Sequence, residues 1–319
     1  MEKLRPSGAY QKMKEIRSER MAVYQDADGS VRPELLEERT CPICDAESHR
    51  ELFHKEGYRF VECLECRLIF VAPVLKLEEV RELYEHQSYS DIVKALMDES
   101  SVYRRERFGS ERVEIINRWT PGDGRRKVLD VGCATGFFLE AARDAGWDAY
   151  GVEANPYAVE YARKNGLDVR NEMIEDTSFP SKSFDAITLF EVIEHVSDPM
   201  AILRKTCDLL RPNGIAYIYT PNFDCAERLI MGTEAHFVWG SNHLTYFTPE
   251  TLALAFERAG FEVLHWETQG LDFEDILWHY ENHGEYDTRF LRNFRHELQF
   301  LSNAGGWGKN LRMYARCPE

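Results

Sequence analysis

From residue 127 onward, short apolar runs alternate with amphipathic stretches that stop at glycine. The first elements predicted from this pattern are a strand at 127–131, a helix at 135–145, a strand at 148–152 and a helix at 156–165. Gly146 and Gly166 end the two helices, as expected of a residue that adopts positive φ without steric strain. Strands and helices in alternation predict a parallel sheet with helices on both faces.

The alternation continues toward the C terminus. We predict a strand at 184–190, a helix at 199–210, a strand at 215–220, a helix that begins at Pro249, a strand at 261–267 and a last strand at 310–317. Thr248 precedes Pro249 and is suited to cap that helix. Between the last two strands, residues 270–306 carry Trp, Tyr, Phe and His at helical spacing, which predicts a helical insertion. The α/β domain then covers residues 121–319.

The chain of 319 residues is too long for one compact core, and three stretches precede the α/β domain. Residues 1–40 are rich in Lys, Arg and Glu and are interpreted as a charged extension. Residues 41–73 carry paired cysteines and two short apolar runs typical of strands. Within residues 74–120 apolar side chains recur three and four apart, which predicts a helical bridge or lid.

Four of the cysteines, Cys41, Cys44, Cys63 and Cys66, follow the spacing C-x2-C-x18-C-x2-C. Two tight turns of this kind present four thiolates tetrahedrally, so we predict a zinc site. Four sulfur ligands leave no coordination position open, and the zinc is therefore expected to stabilise a module whose core is too small to fold alone. The alternatives are a redox pair, idle thiols and an iron–sulfur site, but the thioredoxin-like context that a redox pair requires is absent.

The formal net charge of −16 is spread along the chain, without the clustered Lys and Arg that nucleic-acid binding requires. We therefore expect a small-molecule partner rather than a nucleic acid. No apolar run approaches the roughly 20 residues of a membrane span, and the first residues lack the apolar core of a signal peptide. The other cysteines, Cys133, Cys207, Cys225 and Cys317, are scattered singly, which suits a reducing compartment. We expect a cytoplasmic protein.

The stretch VLDVGCATGFF, at 128–138, forms a turn after the first predicted strand. Gly132 and Gly136 let backbone approach a ligand at the carboxyl edge of that strand. A dinucleotide fingerprint has glycine where this chain has Ala134, which weakens the interpretation of a pyrophosphate site. Glu153 ends the second strand, where a carboxylate accepts hydrogen bonds from both hydroxyls of a ribose. A nucleoside that carries an amino acid in place of a pyrophosphate, such as S-adenosylmethionine, fits both observations.

These motifs carry a family resemblance. Residues from about 105 to 268 resemble the class I S-adenosylmethionine-dependent methyltransferases: LDVGCATG matches their glycine motif except at Ala134, and EHVSDP and LRPNG match two later motifs. The resemblance implies an α/β fold with a Rossmann-like, seven-stranded, mostly parallel sheet and helices on both faces. The cofactor contacts that it implies are Asp130, Gly132, Cys133, Ala134 and Gly136 at the methionine part, Glu153 and Ala154 at the ribose, Met173 and Ile174 at the adenine, and Phe190 and Glu191 at the border.

The stretch HFVWGSNHLTYFTPE, at 236–250, follows the fifth strand, where methyltransferases of this kind often build the acceptor pocket. The candidates for that pocket are His236, Trp239, Asn242, His243 and Tyr246. A hydroxyl acceptor must lose its proton during methyl transfer, and we predict His243 as the base, with Glu191 as a second catalytic candidate. The alternative is a structural His243 that bonds Asn242 or a turn carbonyl, with the aromatic residues in the core.

The stretch EVIEHV, at 191–196, spaces Glu191, Glu194 and His195 so that they would share one face of a helix. Small-RNA 2′-O-methyltransferases and some quinone-pathway O-methyltransferases look similar here and use such residues for magnesium. The RNA enzymes add a later histidine comparable to His243. Because the motif is also widespread in metal-free relatives, we favour a structural role for Glu194 and His195 beneath the cofactor over a Mg²⁺ site.

Together these features predict an S-adenosylmethionine-dependent methyltransferase with a structural zinc module. A cysteine module followed by such a domain resembles methyltransferases of glycan and natural-product pathways, so the expected acceptor is a hydroxyl of a sugar, a glycan precursor or a natural-product intermediate. Three alternatives stay open. The first two are a quinone-type O-methyltransferase and an RNA methyltransferase, each with a divalent metal at Glu191, Glu194 and His195. The third is a non-catalytic scaffold. The cysteine module balances acids against bases, which weighs against RNA.

Overall fold

The computed structural model describes residues 19, 21–80, 103–120, 122, 124–283 and 286–318. Most of the predicted helical bridge and the first part of the predicted extension lie outside the described residues. The described part of the extension is no free arm, because Met21, Tyr24 and Val31 are buried in a core shared with later residues. The described residues of the predicted charged extension therefore contribute apolar side chains to the interior.

The N-terminal part of the chain contains five short strands around the paired cysteines. They are β1 (Leu36–Glu37), β2 (His49–Lys55), β3 (Tyr58–Cys63), β4 (Ile69–Val71) and β5 (Val74–Leu75). β2, β3 and β4 form an antiparallel sheet, in which Phe60 pairs with Val71. β5 pairs with β1, so the first residues assigned to the helical bridge form a strand instead.

Helices and strands then alternate to the end of the chain. They are α1 (Ser110–Trp119), β6 (Lys127–Val131), α2 (Phe137–Asp144), β7 (Asp148–Val152), α3 (Pro156–Lys164), β8 (Asp168–Arg170), β9 (Phe184–Phe190), α4 (Pro199–Leu209), β10 (Leu210–Pro221), α5 (Ala226–Met231), β11 (Thr245–Tyr246), α6 (Pro249–Arg258), β12 (Glu262–Gln269), α7 (Asp272–His283), α8 (Arg289–Ala304) and β13 (Asn310–Arg316). The stretch 270–306, predicted as a helical insertion, contains α7 and α8.

Seven of these strands form one sheet in the order β12-β13-β10-β9-β6-β7-β8. β13 runs antiparallel to both of its neighbours, β12 and β10. The other neighbouring strands, from β10 through β9, β6 and β7 to β8, pair in parallel. This arrangement confirms the predicted Rossmann-like fold class. The strand order reverses between β6 and β9, and in such sheets ligands bind beyond the carboxyl ends of the strands at that reversal.

Helix ends follow the local sequence closely. The side chains of Asn155, Asp198 and Thr248 accept backbone N–H groups at the starts of α3, α4 and α6, where proline occupies the first turn. Gly146 and Gly166 follow α2 and α3 with φ of +91° and +73°, as predicted. These caps fix where each helix leaves the sheet.

Three features differ from the sequence-based expectation. β8 was not predicted, because three residues are too few for a pattern of alternating polarity. β10 begins at Leu210 rather than 215 and contains an irregularity before Ile215, where Asn213 adopts a φ of +65°. α2 begins at Phe137 rather than 135, because Gly136 takes a left-handed conformation.

The cysteine module is not a separate body. β11 pairs antiparallel with β4, so two residues from the predicted acceptor segment complete the module's sheet. Cys41, Val61 and Phe70 belong to the same buried cluster as Phe256 of α6. The module, whose own core was expected to be too small to fold alone, therefore shares its interior with the α/β domain.

Cys207 of α4 and Cys317 form a disulfide. The interpretation of these two as single cysteines is therefore wrong, because residues 110 apart in sequence meet beside the sheet. Among the described residues, no helix combines the length and the apolar character needed to cross a membrane.

Candidate active site

The turn between β6 and α2 has an unusual backbone. Gly132, Ala134 and Gly136 have φ of +67°, +47° and +86°. A Cβ on Gly132 would lie 2.7 Å from Cγ2 of Val192, and a Cβ on Gly136 would lie 2.3 Å from Cδ1 of Leu167. Glycine is therefore required at both positions, and the turn lies directly against the loop that follows β9.

Glu153 closes this turn from the end of β7. Its Oε2 accepts a hydrogen bond from the Ala134 N–H at 2.9 Å, and its Oε1 accepts one from the Asn155 N–H at 2.8 Å. The charge-assisted bond to Ala134 offsets the strain of a left-handed alanine, which is about 1 to 2 kcal/mol. Burial raises the pKa of Glu153. The predicted ribose acid is thus already held at the rim of the turn.

Cys133 was predicted as a cofactor contact, but its side chain points away from the turn. A Cβ on Gly151 of β7 would lie 2.6 Å from its Sγ, and the residue is buried with Phe138 and Leu139. Side chains alternate between the two faces at the end of a strand, which directs this one into the core. Only the backbone of Cys133 remains available to a ligand.

Asp130, at the end of β6, is buried, and its Oδ1 accepts a hydrogen bond from Oγ1 of Thr188 at 2.6 Å. Burial raises the pKa of Asp130 to about 7, and the carboxylate of Glu153 adds to this shift while Arg112 opposes it. Two carboxylates whose ionised forms are disfavoured by burial therefore flank the glycine turn. A cationic ligand stabilises such a pair and a pyrophosphate is repelled by it, so the turn favours a ligand that carries positive charge.

Sequence reasoning missed Arg112, which reaches the same cleft from α1. Its guanidinium carbon lies 3.9 Å from the centroid of the Phe190 ring and 5.0 Å from that of the Phe137 ring. Burial lowers the pKa of Arg112, and Asp130 opposes that effect. Among the described residues, the Arg112 side chain forms no ion pair or hydrogen bond. A helical pattern located α1, but only the fold shows which of its side chains faces the turn.

The predicted adenine contacts, Met173 and Ile174, follow β8. Nδ2 of Asn171 donates to the backbone carbonyls of Glu153 and Ala154, each at 2.9 Å, so this segment is tied to the end of β7. Ile174 is buried in the core, whereas Met173 is partly exposed. The structure therefore places Met173 and Ala154 near the predicted ribose acid, with Ile174 packed behind them.

Residues 191–196 form a turn rather than the helix on which Glu191 was expected to face Glu194 and His195. Glu191 adopts a φ of +59°, and its N–H donates to the carbonyl of Tyr219 at 2.7 Å. This left-handed residue redirects the chain, and Glu191 is exposed. Glu191 is therefore outside the group of converging ligand atoms, so the alternative of a metal site at Glu191, Glu194 and His195 does not hold with these three members.

His243 takes the place of Glu191 in that group. One ligand atom from each of Glu194, His195 and His243 lies within 4.8 Å of the others. The imidazole rings are 4.7 Å apart, and Nε2 of His195 is 4.0 Å from Oε1 of Glu194. We refer to these three residues as the Glu-His-His cluster. Because Val192 contacts the glycine turn, the cluster lies next to the predicted cofactor site.

Hydrogen bonds fix the orientation of both rings in the cluster. Nδ1 of His195 lies 2.8 Å from the carbonyl of Asn242, and Nδ1 of His243 lies 2.8 Å from the carbonyl of Phe237. A carbonyl only accepts, so each Nδ1 is the donor, and each Nε2 carries a lone pair. Carbonyl partners on Nδ1 are typical of metal-binding histidines.

Glu194 is buried, and its Oε2 accepts a hydrogen bond from Oγ1 of Thr220 at 2.9 Å. Its Oε1, which faces His195, has no hydrogen-bond partner among the described residues. Burial raises the pKa of Glu194 to about 8, and Glu191 adds to this shift. A buried oxygen without a partner is rare in folded proteins, and a cation or an acceptor hydroxyl would satisfy it.

The remaining acceptor candidates have different surroundings. Nδ1 of His236 lies within hydrogen-bond distance of Oε1 of Glu227, at 2.7 Å, within a buried group that Lys309 completes. Tyr246 is buried in the core, and its hydroxyl accepts the N–H of Trp239 at 2.9 Å. The expectation that Tyr246 lines the acceptor pocket is therefore wrong. The ring of Trp239 stacks on that of His243, with 5.8 Å between the ring centroids.

The four paired cysteines converge as predicted. Sγ of Cys41 lies 3.4 Å from Sγ of Cys66, Sγ of Cys44 lies 3.5 Å from Sγ of Cys63, and all four sulfur atoms lie within 4.8 Å of one another. Sulfur atoms 2.3 Å from a tetrahedral zinc are about 3.8 Å apart, so the arrangement fits this metal.

The two cysteine turns repeat one another. The residues after them, Asp45 and Arg67, have φ of +60° and +67°, and their N–H groups donate to the carbonyls of Cys41 and Cys63 at 2.9 and 3.1 Å. Four thiolates from paired turns are typical of structural zinc sites. The donor set therefore fits zinc in chemistry as well as in spacing.

Comparison with known proteins addresses the α/β domain. The family described as "Methyltransferase domain" matches residues 103–266, which is about half of the chain. The chain belongs to the methyltransferase domain family. This result confirms the predicted class of protein, the S-adenosylmethionine-dependent methyltransferases, and supports S-adenosylmethionine as the cofactor.

Two similar proteins are both named as ubiquinone biosynthesis O-methyltransferases. A ubiquinone biosynthesis O-methyltransferase from Actinobacillus pleuropneumoniae serotype 5b is 38% identical over 122 residues, which are 35% of this chain and 52% of that protein. One from Cereibacter sphaeroides is 30% identical over 188 residues, which are 55% of this chain and 75% of that protein. The match thus spans about half the length of the first relative.

A solved structure shows the same fold. It comes from the complex between the Haloferax volcanii Trm112 methyltransferase activator and a methyltransferase, with a TM-score of 0.53 and 19% identity. The match covers 75% of this chain and 98% of that chain. At this identity the likeness extends to the fold alone.

Proposed function

We propose that this methyltransferase transfers the methyl group of S-adenosylmethionine to a hydroxyl of a small molecule. The observation that carries the proposal is the Glu-His-His cluster beside the glycine turn, in which one ligand atom from each of Glu194, His195 and His243 converges and the Nδ1 of each ring faces a backbone carbonyl. A hydroxyl must lose its proton to become a nucleophile, and these atoms are suited to accept it.

Binding of the cofactor uses the charges around the glycine turn. The ribose hydroxyls donate to Glu153, whose carboxylate retains lone pairs beyond the two that Ala134 and Asn155 occupy. Asp130 would hold the ammonium group of the methionine part, and the Arg112 guanidinium would hold its carboxylate. These partners would stabilise the charged forms of Glu153, Asp130 and Arg112, which burial disfavours.

In the reaction, the sulfur–methyl bond breaks while a carbon–oxygen bond forms. The acceptor proton passes to Nε2 of His243, and S-adenosylhomocysteine leaves as a neutral thioether. Holding the acceptor in line with the sulfonium supplies much of the rate enhancement, about 7 to 11 kcal/mol for well-oriented groups. The structure does not require a covalent enzyme intermediate.

The Glu-His-His cluster also fits a divalent cation. The partnerless Oε1 of Glu194 and the lone pairs on both Nε2 atoms provide a carboxylate and two imidazole ligands, each ring being oriented by a carbonyl. When bound there, the cation would stabilise the acceptor oxyanion, and it would replace His243 as the group that promotes loss of the acceptor proton, because it would occupy the Nε2 lone pair. This reverses the preference for a metal-free role, which rested on sequence frequency alone.

The cysteine module would hold zinc structurally. Cys41, Cys44, Cys63 and Cys66 supply four sulfur ligands, so no position remains for a substrate. The zinc contributes folding free energy to the module and, through the shared core, to the α/β domain.

Two classes of acceptor are in view. A sugar or natural-product hydroxyl is the first, as the sequence predicts. A phenolic hydroxyl is the second, because the relatives at 38% and 30% identity are named ubiquinone biosynthesis O-methyltransferases. RNA is disfavoured by the net charge of −16.

The test is methyl transfer from labelled S-adenosylmethionine to a panel of nucleotide sugars, catechols, quinols and RNA. We expect turnover on a small-molecule hydroxyl, and His243→Gln should lower kcat about 100-fold or more, the usual contribution of a general base. His265→Gln is the matched control, because His265 stacks on Trp119 and Tyr314 at the far edge of the sheet. Equal turnover of both variants would rule out His243 as the base.

A further inference from the structure

The two residues after His243 are held from both sides. The N–H groups of Leu244 and Thr245 donate to the backbone carbonyl of Glu194, at 2.7 and 3.2 Å. The carbonyl of Leu244 accepts the N–H of Val71, in β4 of the cysteine module, at 3.0 Å. Leu244–Thr245 therefore connects the module to the backbone of the Glu-His-His cluster.

Arg39 makes the same connection with its side chain. Its guanidinium donates to the carbonyl of Leu244 at 3.0 Å and, through its other terminal nitrogen, to the carbonyl of Ser197 at 3.4 Å. Oγ1 of Thr245 lies 3.3 Å from the first of these nitrogens. One planar group thus bridges the backbone that follows Glu194 and His195 and the backbone that follows His243.

The environment of Arg39 keeps this bridge in place. The guanidinium lies over the ring of Phe70 in β4, with 5.3 Å between its carbon and the ring centroid. A planar fork of donors binds two carbonyls at once, whereas a lysine ammonium is a point charge on a flexible stem. Arginine is therefore the residue type that this geometry requires.

The cysteine turns set the position of both contacts. Arg39 precedes Cys41 by two residues, and the N–H of Cys63 donates to the carbonyl of Leu68, directly before β4. The module also packs under the acceptor segment: a Cβ on Gly240 would lie 2.5 Å from Cβ of Tyr58. The path from the four thiolates to His243 consists of short hydrogen-bonded steps.

We propose that Arg39 is a positioning residue that sets the separation of His243 from Glu194 and His195, so that the zinc-bound cysteine module controls the geometry of the cluster without contacting substrate. This inference rests on the proposed function in assigning catalysis to the cluster. It assigns to the module a role in turnover that is separate from its contribution to stability.

The test compares Arg39→Met and Arg39→Lys with Arg258→Met. Arg258 is the matched control, since it donates to the carbonyl of Ile43 at 3.3 Å across the same junction but away from the cluster. Each variant is purified with its zinc content measured. Four quantities are then measured: methyl transfer, S-adenosylmethionine affinity, Mn²⁺ affinity and the side-chain ¹⁵N signals of His195 and His243. The variants His195→Gln and His243→Gln assign these signals.

We expect Arg39→Met to retain one zinc per chain and wild-type affinity for S-adenosylmethionine within about twofold. Its kcat should fall about 10- to 100-fold, the usual consequence of misplacing a catalytic group by an ångström or less. Its histidine ¹⁵N signals should shift and its Mn²⁺ affinity should weaken, with a smaller effect in Arg39→Lys. Arg258→Met should match the wild type in all four readouts.

Unchanged histidine signals in Arg39→Met overturn the proposal, as does a loss of turnover that Arg258→Met shares. If the wild type methylates no acceptor in the panel, the proposed function fails on its own. The histidine signals still decide the role of Arg39 in that case, because they require neither acceptor nor turnover.

Discussion

Replacing Arg112 with methionine should weaken binding only of those ligands that carry the amino-acid part of the cofactor. The Arg112 guanidinium lies against Phe190 without an ion pair among the described residues, so it is available to the methionine carboxylate. A hydrogen bond to a charged group contributes about 1.5 to 3 kcal/mol. At about 1.4 kcal/mol per factor of ten, the Kd should rise about 10- to 150-fold.

The assay is isothermal titration with two ligands. S-adenosylhomocysteine has the amino-acid end, whereas 5′-methylthioadenosine lacks it and retains the nucleoside. We expect Arg112→Met to weaken the first ligand by the stated factor and to leave the second within about twofold, because truncating one partner removes only its own interaction. Glu153→Gln, which faces the ribose, should weaken both ligands equally.

Arg118→Met is the control, because Arg118 is an exposed residue on the same helix. It should bind both ligands as the wild type does. If Arg112→Met weakened both ligands by the same factor, its role would be to hold the cleft together. If it weakened neither, the carboxylate would bind elsewhere, and the assigned orientation of the cofactor would be wrong.

Three further outcomes are expected. Gly136→Ala should lower the free energy of unfolding by about 2 to 5 kcal/mol, because a left-handed alanine is strained and its Cβ would crowd Leu167. Gly146→Ala, which has open space around it, should lower that free energy by only about 1 to 2 kcal/mol. Urea unfolding measures both changes. S-adenosylhomocysteine should bind more tightly as pH rises through about 7, because the ammonium group of the ligand favours the ionised form of Asp130. Titrations at pH 6 and 8 measure this dependence, and Asp130→Asn should remove it. Cys44→Ser should lower the Tm of the whole chain in one calorimetric transition, because the module and the α/β domain share a core; a separate low-temperature transition would contradict this.

Much of the α/β domain was predictable because its rules are local. Glycine after α2 and α3, and proline at the first turn of α3, α4 and α6, marked helix ends to within a residue or two. The glycine turn and Glu153 were predictable for the same reason, since each directly follows a strand. The cysteine spacing likewise specified the convergence of four sulfur atoms.

The composition of the Glu-His-His cluster was not predictable from spacing. Its members come from the loops after β9 and β10, and Glu191, which adopts a left-handed φ, is outside the group of converging ligand atoms. Arg112 and the Cys207–Cys317 pair were missed for a related reason, because their partners are distant in sequence. The joining of the module to the domain through β11 depends on two residues, too few to mark a strand in the sequence.

Titration of S-adenosylmethionine into the wild-type chain and into Glu153→Gln tests the central assignment most directly. We predict one equivalent bound per wild-type chain and a Kd at least about tenfold higher in the variant, since an amide replaces the carboxyl group that faces the two ribose hydroxyls. A wild-type chain that releases no heat at millimolar ligand would contradict cofactor binding at the glycine turn and would favour a non-catalytic scaffold.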